Sequence, residues 1–271
     1  MNEKIQELLK KDRYSFGDLC AVMALLRGDN GCPWDREQTH ESIRQNFIEE
    51  TYEVVEAIDN QDKKLLCEEL GDVLLQVVFH AQMEKEAGSF DIDDVSDGIV
   101  KKLIYRHPHI FGEVHADTAE KVLDNWEALK AKEKHRDTVT ASLRSVPRQL
   151  PALMRAQKVG RKAAKAGFDF PDAAAAEQKI TEELAEVRTA AGEEARFEEI
   201  GDLLFAAVNT ARKYGVDAER ALGKATDKFI ARFALVEETA LASGKSLSEM
   251  PAEEQNALWD VVKLHKNSKS S

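Results

Sequence analysis

Twice along this chain, a helix-forming stretch places two acids three residues apart and repeats the spacing after a short spacer. The second half reads Thr181-Glu182-Glu183-Leu184-Ala185-Glu186 and then Glu198-Glu199-Ile200-Gly201-Asp202. The first half reads Glu49-Glu50-Thr51-Tyr52-Glu53 and then Glu68-Glu69-Leu70-Gly71-Asp72. At 3.6 residues per turn, partners three apart lie roughly 60° apart on one helix face. An antiparallel pair of such helices therefore aims four carboxylates at one point. Converging carboxylates repel one another unless positive charge lies among them. Oxygen ligands without His or Cys select Mg²⁺, or Mn²⁺. Magnesium completes its shell with water and substrate phosphates, so the pattern reads as a nucleotide site. In a chain that is 32% charged, Glu pairs three apart are ordinarily solvated helix surface. Repetition is what lifts the metal reading above that one.

The repetition extends further. A shift of 133 residues lays Glu49–Glu53 on Glu182–Glu186, and one of 130 lays Glu68–Asp72 on Glu198–Asp202. A shift of 126 lays Lys102 and Arg106 on Lys228 and Arg232, and 133 again lays Trp126 and Lys130 on Trp259 and Lys263. Four matches in one order, with offsets changing where loops fall, indicate an internal duplication. Each half then carries four acids for a metal, Lys and Arg one helical turn apart for phosphate charge, and a late Trp with Lys four residues on. Trp259 and Trp126 carry two readings, stacking on a base or packing in a core. His107 and His109 can ligate a metal or pack in their loop, and packing is the expected role. Gly71 and Gly201 each cost roughly 1 kcal/mol against Ala inside a helix, so close helix approach is their expected reason.

Six prolines and long runs of Ala, Glu, Lys, Leu and Arg favour helix nearly throughout, and the expected class is all-α. Helices are expected over Phe16–Arg27, through Phe47–Ile58 with Thr39 or Ser42 as cap, over Lys64–Lys85, and from Ile92 to before Pro108. A loop is expected over His107–Gly112, where Pro108 lacks a donor. Thr118 is expected to cap a helix through Trp126 and Lys130. A basic helix, the two acidic helices, one over Ala218–Ser243 and one from Pro251 follow. The organisation reads as an N-terminal domain over 1–135, a linker over 136–155 and a catalytic C-terminal domain over 156–271.

The 271 residues are 43% apolar, enough for a proper core, and the formal charge is −12. That charge disfavours nucleic acid or anionic membrane as a bulk partner. No apolar run approaches about 18 residues, and the N-terminus lacks a signal-peptide design. Cys20, Cys32 and Cys67 are odd in number and scattered, which fits reduced thiols. The expected setting is cytoplasmic.

These motifs resemble the MazG-type nucleoside triphosphate pyrophosphohydrolases from about Phe16 to Lys263. The marks are Gly31-Cys32-Pro33-Trp34-Asp35 with Gln38-Thr39, the acids above, Arg106-His107-Pro108-His109-Ile110-Phe111-Gly112, Gly167-Phe168-Asp169 and Glu199-Ile200-Gly201-Asp202-Leu203-Leu204-Phe205. The resemblance implies four-helix units completed in a homodimer, and Mg²⁺-dependent hydrolysis of NTPs and dNTPs to the monophosphate and pyrophosphate. It implies Glu183, Glu186, Glu199 and Asp202 as metal ligands, with Glu50, Glu53, Glu69 and Asp72 as their first-half counterparts. Lys179, Lys228, Arg232, Trp259 and Lys263 would contact the nucleotide, with Lys102, Arg106, Trp126 and Lys130 as counterparts. Glu182 or Glu198 would orient the attacking water. Gly98 stands opposite Lys224, one cation fewer, which favours the C-terminal site. Two positions depart from the family pattern, Thr226 for Asn and Phe170 for Trp. Pool sanitation and alarmone control are both compatible roles.

Three rivals stand beside this reading. A di-iron carboxylate bundle wants Glu-x-x-His, and no His falls three residues after any site acid. A non-catalytic dimeric nucleotide-binding or regulatory protein would use the acids as surface. Narrow specificity, for dUTP or a histidine-pathway nucleotide, depends on pocket shape.

Overall fold

The computed structural model describes residues 3–112 and 138–267, together with Thr118, Lys121, Val122, Trp126 and Leu129. Among the described residues every regular element is helical and none is a strand, so the chain is all-α. It divides into two compact units, Met1–Leu129 and Lys130–Ser271.

The first unit holds α1 (Glu3–Leu8), α2 (Phe16–Arg27), α3 (Pro33–Glu37), α4 (Arg44–Asp59), α5 (Lys63–Glu86), α6 (Ile92–Arg106) and α7 (Pro108–Phe111). Helix α2 starts where Ser15 and Asp18 cap each other's backbone reciprocally. The α4–α5 hairpin turns through Asn60-Gln61-Asp62, with Gln61 at φ 56° and Asp62 Oδ1 accepting from the amides of Lys64 and Leu65. Its core is Met23, Ile43, Val78, Phe79 and Met83, flanked by Leu19, Cys20, Leu75 and Ile92. Arg27 then ties the chain after α2 to α5. Its guanidinium donates to Glu86 and to the carbonyls of Asp35 and Gln38, and lies 5.3 Å from the Phe79 ring centre.

The second unit holds α8 (Val139–Arg144), α9 (Ala152–Lys165), α10 (Ala173–Thr189), α11 (Glu193–Lys213), α12 (Ala218–Ala242), a 3₁₀ turn (Leu247–Glu249) and α13 (Ala252–Asn267). Asp172 and Asp217 cap α10 and α12. Gly192, at φ 93°, makes the sharp return from α10 into the antiparallel α11. Helix α9 packs on α11 so closely at Gly160 that a Cβ there would stand 2.7 Å from Asn209 Oδ1. The buried Gln157 bridges α9 to the start of α12 through the Val216 carbonyl and the Ala218 amide.

Four expectations are corrected. The segment 136–155 holds α8, with Val146 buried and Ser142 accepting from Lys162, so its described part is packed structure. Pro108 opens the short helix α7, because at the first helical position its missing N–H has no partner to lose. Neither Thr39 nor Ser42 caps α4. They hydrogen-bond each other, and Ile43 occupies the cap with no side-chain bond. Nothing lies within 4 Å of a Cβ built at Gly71 or Gly201, so close helix approach within this chain does not explain them. Lys130 lies outside the described residues.

These environments separate two substitutions in chemical denaturation. Met23→Ala, at 1% exposure in the first core, should cost about 2–5 kcal/mol. Gly71→Ala, with open space around it inside α5, should gain up to about 1 kcal/mol in a chain on its own. A loss at Gly71 would mean that something outside this chain packs there.

Candidate active site

Helices α10 and α11 form the closest hairpin of the second unit, and their facing acids meet across it. One carboxylate oxygen each from Glu183, Glu199 and Asp202 lie within 4.8 Å of one another. Glu183 is 4% exposed. Its Oε1 accepts from Lys179 Nζ at 2.6 Å, while its Oε2 is buried with no hydrogen-bond partner. A buried carboxylate oxygen left without a donor is costly, and costlier still beside two other acids. Glu186 lies in the same field. Burial, then Glu183 and Glu199, push its carboxyl above the usual range. Lys179 also pairs with Glu182 at 2.7 Å, and Glu182 followed by Glu183 holds the ammonium in its charged form. A cluster of oxygen donors, one of them orphaned, fits a hard divalent cation.

The first unit repeats this geometry between α4 and α5, where oxygens of Glu50, Glu69 and Asp72 lie within 4.8 Å of one another. Burial, then Asp72 and Glu53, raise Glu50. Burial, then Glu53 and Asp72, raise Glu69. Glu53 thus shares the field. The position matching Lys179 is Asn46, and among the described residues no cation pairs with these acids.

The other expected contacts are less closely gathered. Lys228 and Lys263 are exposed, and no ion pair or hydrogen bond joins either to the acids among the described residues. Arg232 is half-buried, and its Nε has no partner. The Trp259 ring lies 5.1 Å from that of Phe229, so the indole is packed on α12. In the first unit Lys102 is exposed, while buried Arg106 places its guanidinium 5.3 Å from the Trp126 ring centre. His107 binds the Leu103 carbonyl and packs against His109 at the junction of α6 and α7, and among the described residues neither joins an acid cluster. Thr226 spends its hydroxyl on the Leu222 carbonyl. Phe170 borders an apolar hollow with Phe168, Pro171 and Phe205. Two structural ties escaped the sequence reading, Arg27 on Glu86 and Arg212 with Lys213 on Asp169. Both span some forty residues or more, and no local periodicity marks them.

Glu186 gives the site a pH signature. Its folded pKa is raised, so folding takes up protons just above the ordinary value of 4.5, and stability falls as pH rises through that window. The proton must leave before a cation binds. Mn²⁺ affinity measured by calorimetry should therefore weaken on acidification already above pH 4.5. With Glu50 and Glu69 of the first cluster replaced by Gln, further replacement in Glu186→Gln should lower the affinity by about tenfold or more and remove that onset.

A MazG nucleotide pyrophosphohydrolase domain profile matches residues 38–111, which include α4, α5 and α6. The nucleoside triphosphate pyrophosphohydrolase/pyrophosphatase MazG of Thermotoga maritima is 43% identical over 255 residues, covering 94% of this chain and 98% of that protein. The nucleoside triphosphate pyrophosphohydrolase of Escherichia coli (strain K12) is 44% identical over 251 residues, 90% of this chain and 95% of that protein. An uncharacterised Bacillus subtilis protein, YabN, is 46% identical over 92% of this chain and 52% of its own length. With near-complete coverage of both pyrophosphohydrolases at this identity, the chain belongs to the MazG nucleotide pyrophosphohydrolase family.

Proposed function

We propose that this chain is a Mg²⁺-dependent nucleoside triphosphate pyrophosphohydrolase that cleaves NTPs and dNTPs at the α-phosphorus, giving the nucleoside monophosphate and pyrophosphate. The observation that carries the reading is the buried, unpartnered Oε2 of Glu183 among converging acids. The names of the Thermotoga and Escherichia relatives supply the reaction class. Glu183, Glu186, Glu199 and Asp202 are the residues that would hold Mg²⁺, with Mn²⁺ as a substitute. Bound there, the ion would neutralise triphosphate charge and polarise the α-phosphorus.

The chain's own groups divide the rest of the work. Arg232, with an unpaired Nε, and exposed Lys228 bind the triphosphate and meet the charge of the departing pyrophosphate. Of the two acids suited to hold the attacking water, Glu182 shares its carboxylate with Lys179, whereas Glu198 is exposed and unpaired among the described residues. Glu198 is therefore the favoured base. Lys179 holds the acids together and contacts phosphate when a nucleotide arrives. Trp259 and Lys263 flank the nucleotide.

The second unit is favoured as the catalytic one. Arg106 and Trp126 are spent on each other in the first unit, while Arg232 keeps a donor unused. The first unit's acids form a second metal site or a duplicated relic that builds the dimer. A homodimer is supported by apolar side chains exposed on α6 (Ile99, Leu103) and α12 (Phe229, Ile230), each close to half exposed.

Pyrophosphate release from each of the eight ordinary NTPs and dNTPs, with and without Mg²⁺, tests the reading. Glu183→Gln should lower kcat/KM by at least about 10²–10³-fold, whereas Glu50→Gln should leave most of the activity. Full turnover in Glu183→Gln would refute the assignment. Absence of pyrophosphate from every substrate would favour a regulatory nucleotide-binding protein instead.

A further inference from the structure

A chain of three titratable side chains in the first unit lies apart from both acid clusters. His40, on the strap between α3 and α4, contacts His80 of α5 through their Nδ1 atoms at 2.6 Å. Its Nε2 meets Glu84 Oε1, one turn further along α5, at 2.8 Å. The imidazole planes are 3° from parallel, with centres 4.9 Å apart. That separation is the Nδ1–Nδ1 distance plus the two ring radii, so the rings lie edge to edge in one plane. This is the geometry of an in-plane N–H···N hydrogen bond, not of a stack.

The protons on this chain are constrained. An ionised carboxylate only accepts, so His40 Nε2 carries the hydrogen given to Glu84. Neutral His40 then offers a lone pair at Nδ1, and His80 must carry its own hydrogen at Nδ1. One added proton is accommodated. His40 becomes the imidazolium, donating to Glu84 and to His80, while His80 shifts its hydrogen to Nε2. A second proton is not. Two imidazolium rings would point N–H at N–H across the same short gap, with no lone pair between them and like charges in contact.

We infer that His40, His80 and Glu84 form a proton-counting latch that holds the strap Gln38–Ser42 on α5 while at most one of the two rings is charged, and releases it when both are. The charged groups facing the pair are Glu84 from α5 and Glu41 from the strap itself, whose carboxyl feels His40. Helix α4 presents the Phe47 ring, 5.9 Å from His80. Arg27 of α2 reaches the Gln38 carbonyl but is bound to Glu86. The same strap thus hangs from two ties. Arg27–Glu86 is charged at every relevant pH, and His40–His80–Glu84 is not. Burial, then His40, lowers the pKa of His80 below its ordinary 6.5. The unfolded chain therefore takes up that proton first. The contribution of His80 to stability is complete above pH 6.5 and is lost as pH falls below it.

Hydrogen exchange of the full-length chain between about pH 8 and about pH 5, corrected for intrinsic rates, tests this. The strap amides should lose about tenfold or more of their protection on acidification, while the α4–α5 hairpin amides keep theirs. In His80→Gln the strap's protection should become independent of pH. In Glu84→Gln the loss should begin about one pH unit higher, because the singly charged state loses its carboxylate. NMR titration of the wild-type imidazoles supplies a readout that needs no variant, and the two rings should titrate in separate, coupled steps. Independent titration of both rings near their ordinary value, or strap exchange in His80→Gln that still follows pH as in the wild type, would overturn the latch.

Discussion

Like charges forced together across a helix seam set the terms for the rest of this molecule. Both hairpins, α4–α5 and α10–α11, bring three acids within 4.8 Å, a configuration that opposes folding in the absence of a counter-charge. The hairpins hold because apolar packing elsewhere outweighs the repulsion. In the first unit Met23, Phe79 and their neighbours lock α2 onto α5, and Arg27 closes the far end. In the second, α9 braces α11 at Gly160 and holds the start of α12 through the buried Gln157. Charge convergence placed on rigid elements in this way is what pre-organises a site for a cation.

The two seams answer the repulsion differently. The second unit supplies Lys179, whose ammonium reaches Glu182 and Glu183 and leaves one Glu183 oxygen bare. The first unit has Asn46 at the matching position, and its Glu50 and Glu69 respond by holding protons to higher pH. Among the described residues, only the second cluster is steadied by a lysine. The contrast at the basic residues points the same way. Arg106 is buried against an aromatic ring, and Arg232 keeps a free donor.

Legibility in the sequence followed the range of the interaction. Spacing of three within a helix is a local rule, so the facing of Glu183, Glu199 and Asp202 was readable from the helix period once an antiparallel hairpin was assumed. The helix bounds were readable for the same reason, down to Phe16–Arg27 and the gap between the helices through Ile58 and from Lys64. What was not readable depends on partners distant in sequence. Gly71 and Gly201 looked like close-approach glycines, yet each faces open space. Thr39 and Ser42 looked like caps, yet they bond each other. Trp259 offered two roles from spacing alone, and only coordinates put Phe229 beside it. His40 and His80 are forty residues apart with no repeating motif between them, so nothing local hinted at their contact.

The exposed glycines and the exposed apolar helices belong to one argument. A helix whose apolar side is left in water gains little from folding, since most helical stability comes from burying that side. Helices α6 and α12 each present several large apolar residues to solvent. On α11, Gly201 lies among exposed Ile200, Leu204 and Phe205. On α5, Gly71 lies beside exposed Leu70 and Leu74. A glycine flanked by uncovered apolar residues suits the close approach of another helix that this chain alone does not provide. The homodimer proposed above supplies such helices, and it would wall the acid seams from a second side, where a triphosphate needs to be held. On that view the repeated hairpin is half of each site, and the residues that looked unexplained within one chain are the ones shaped for its copy.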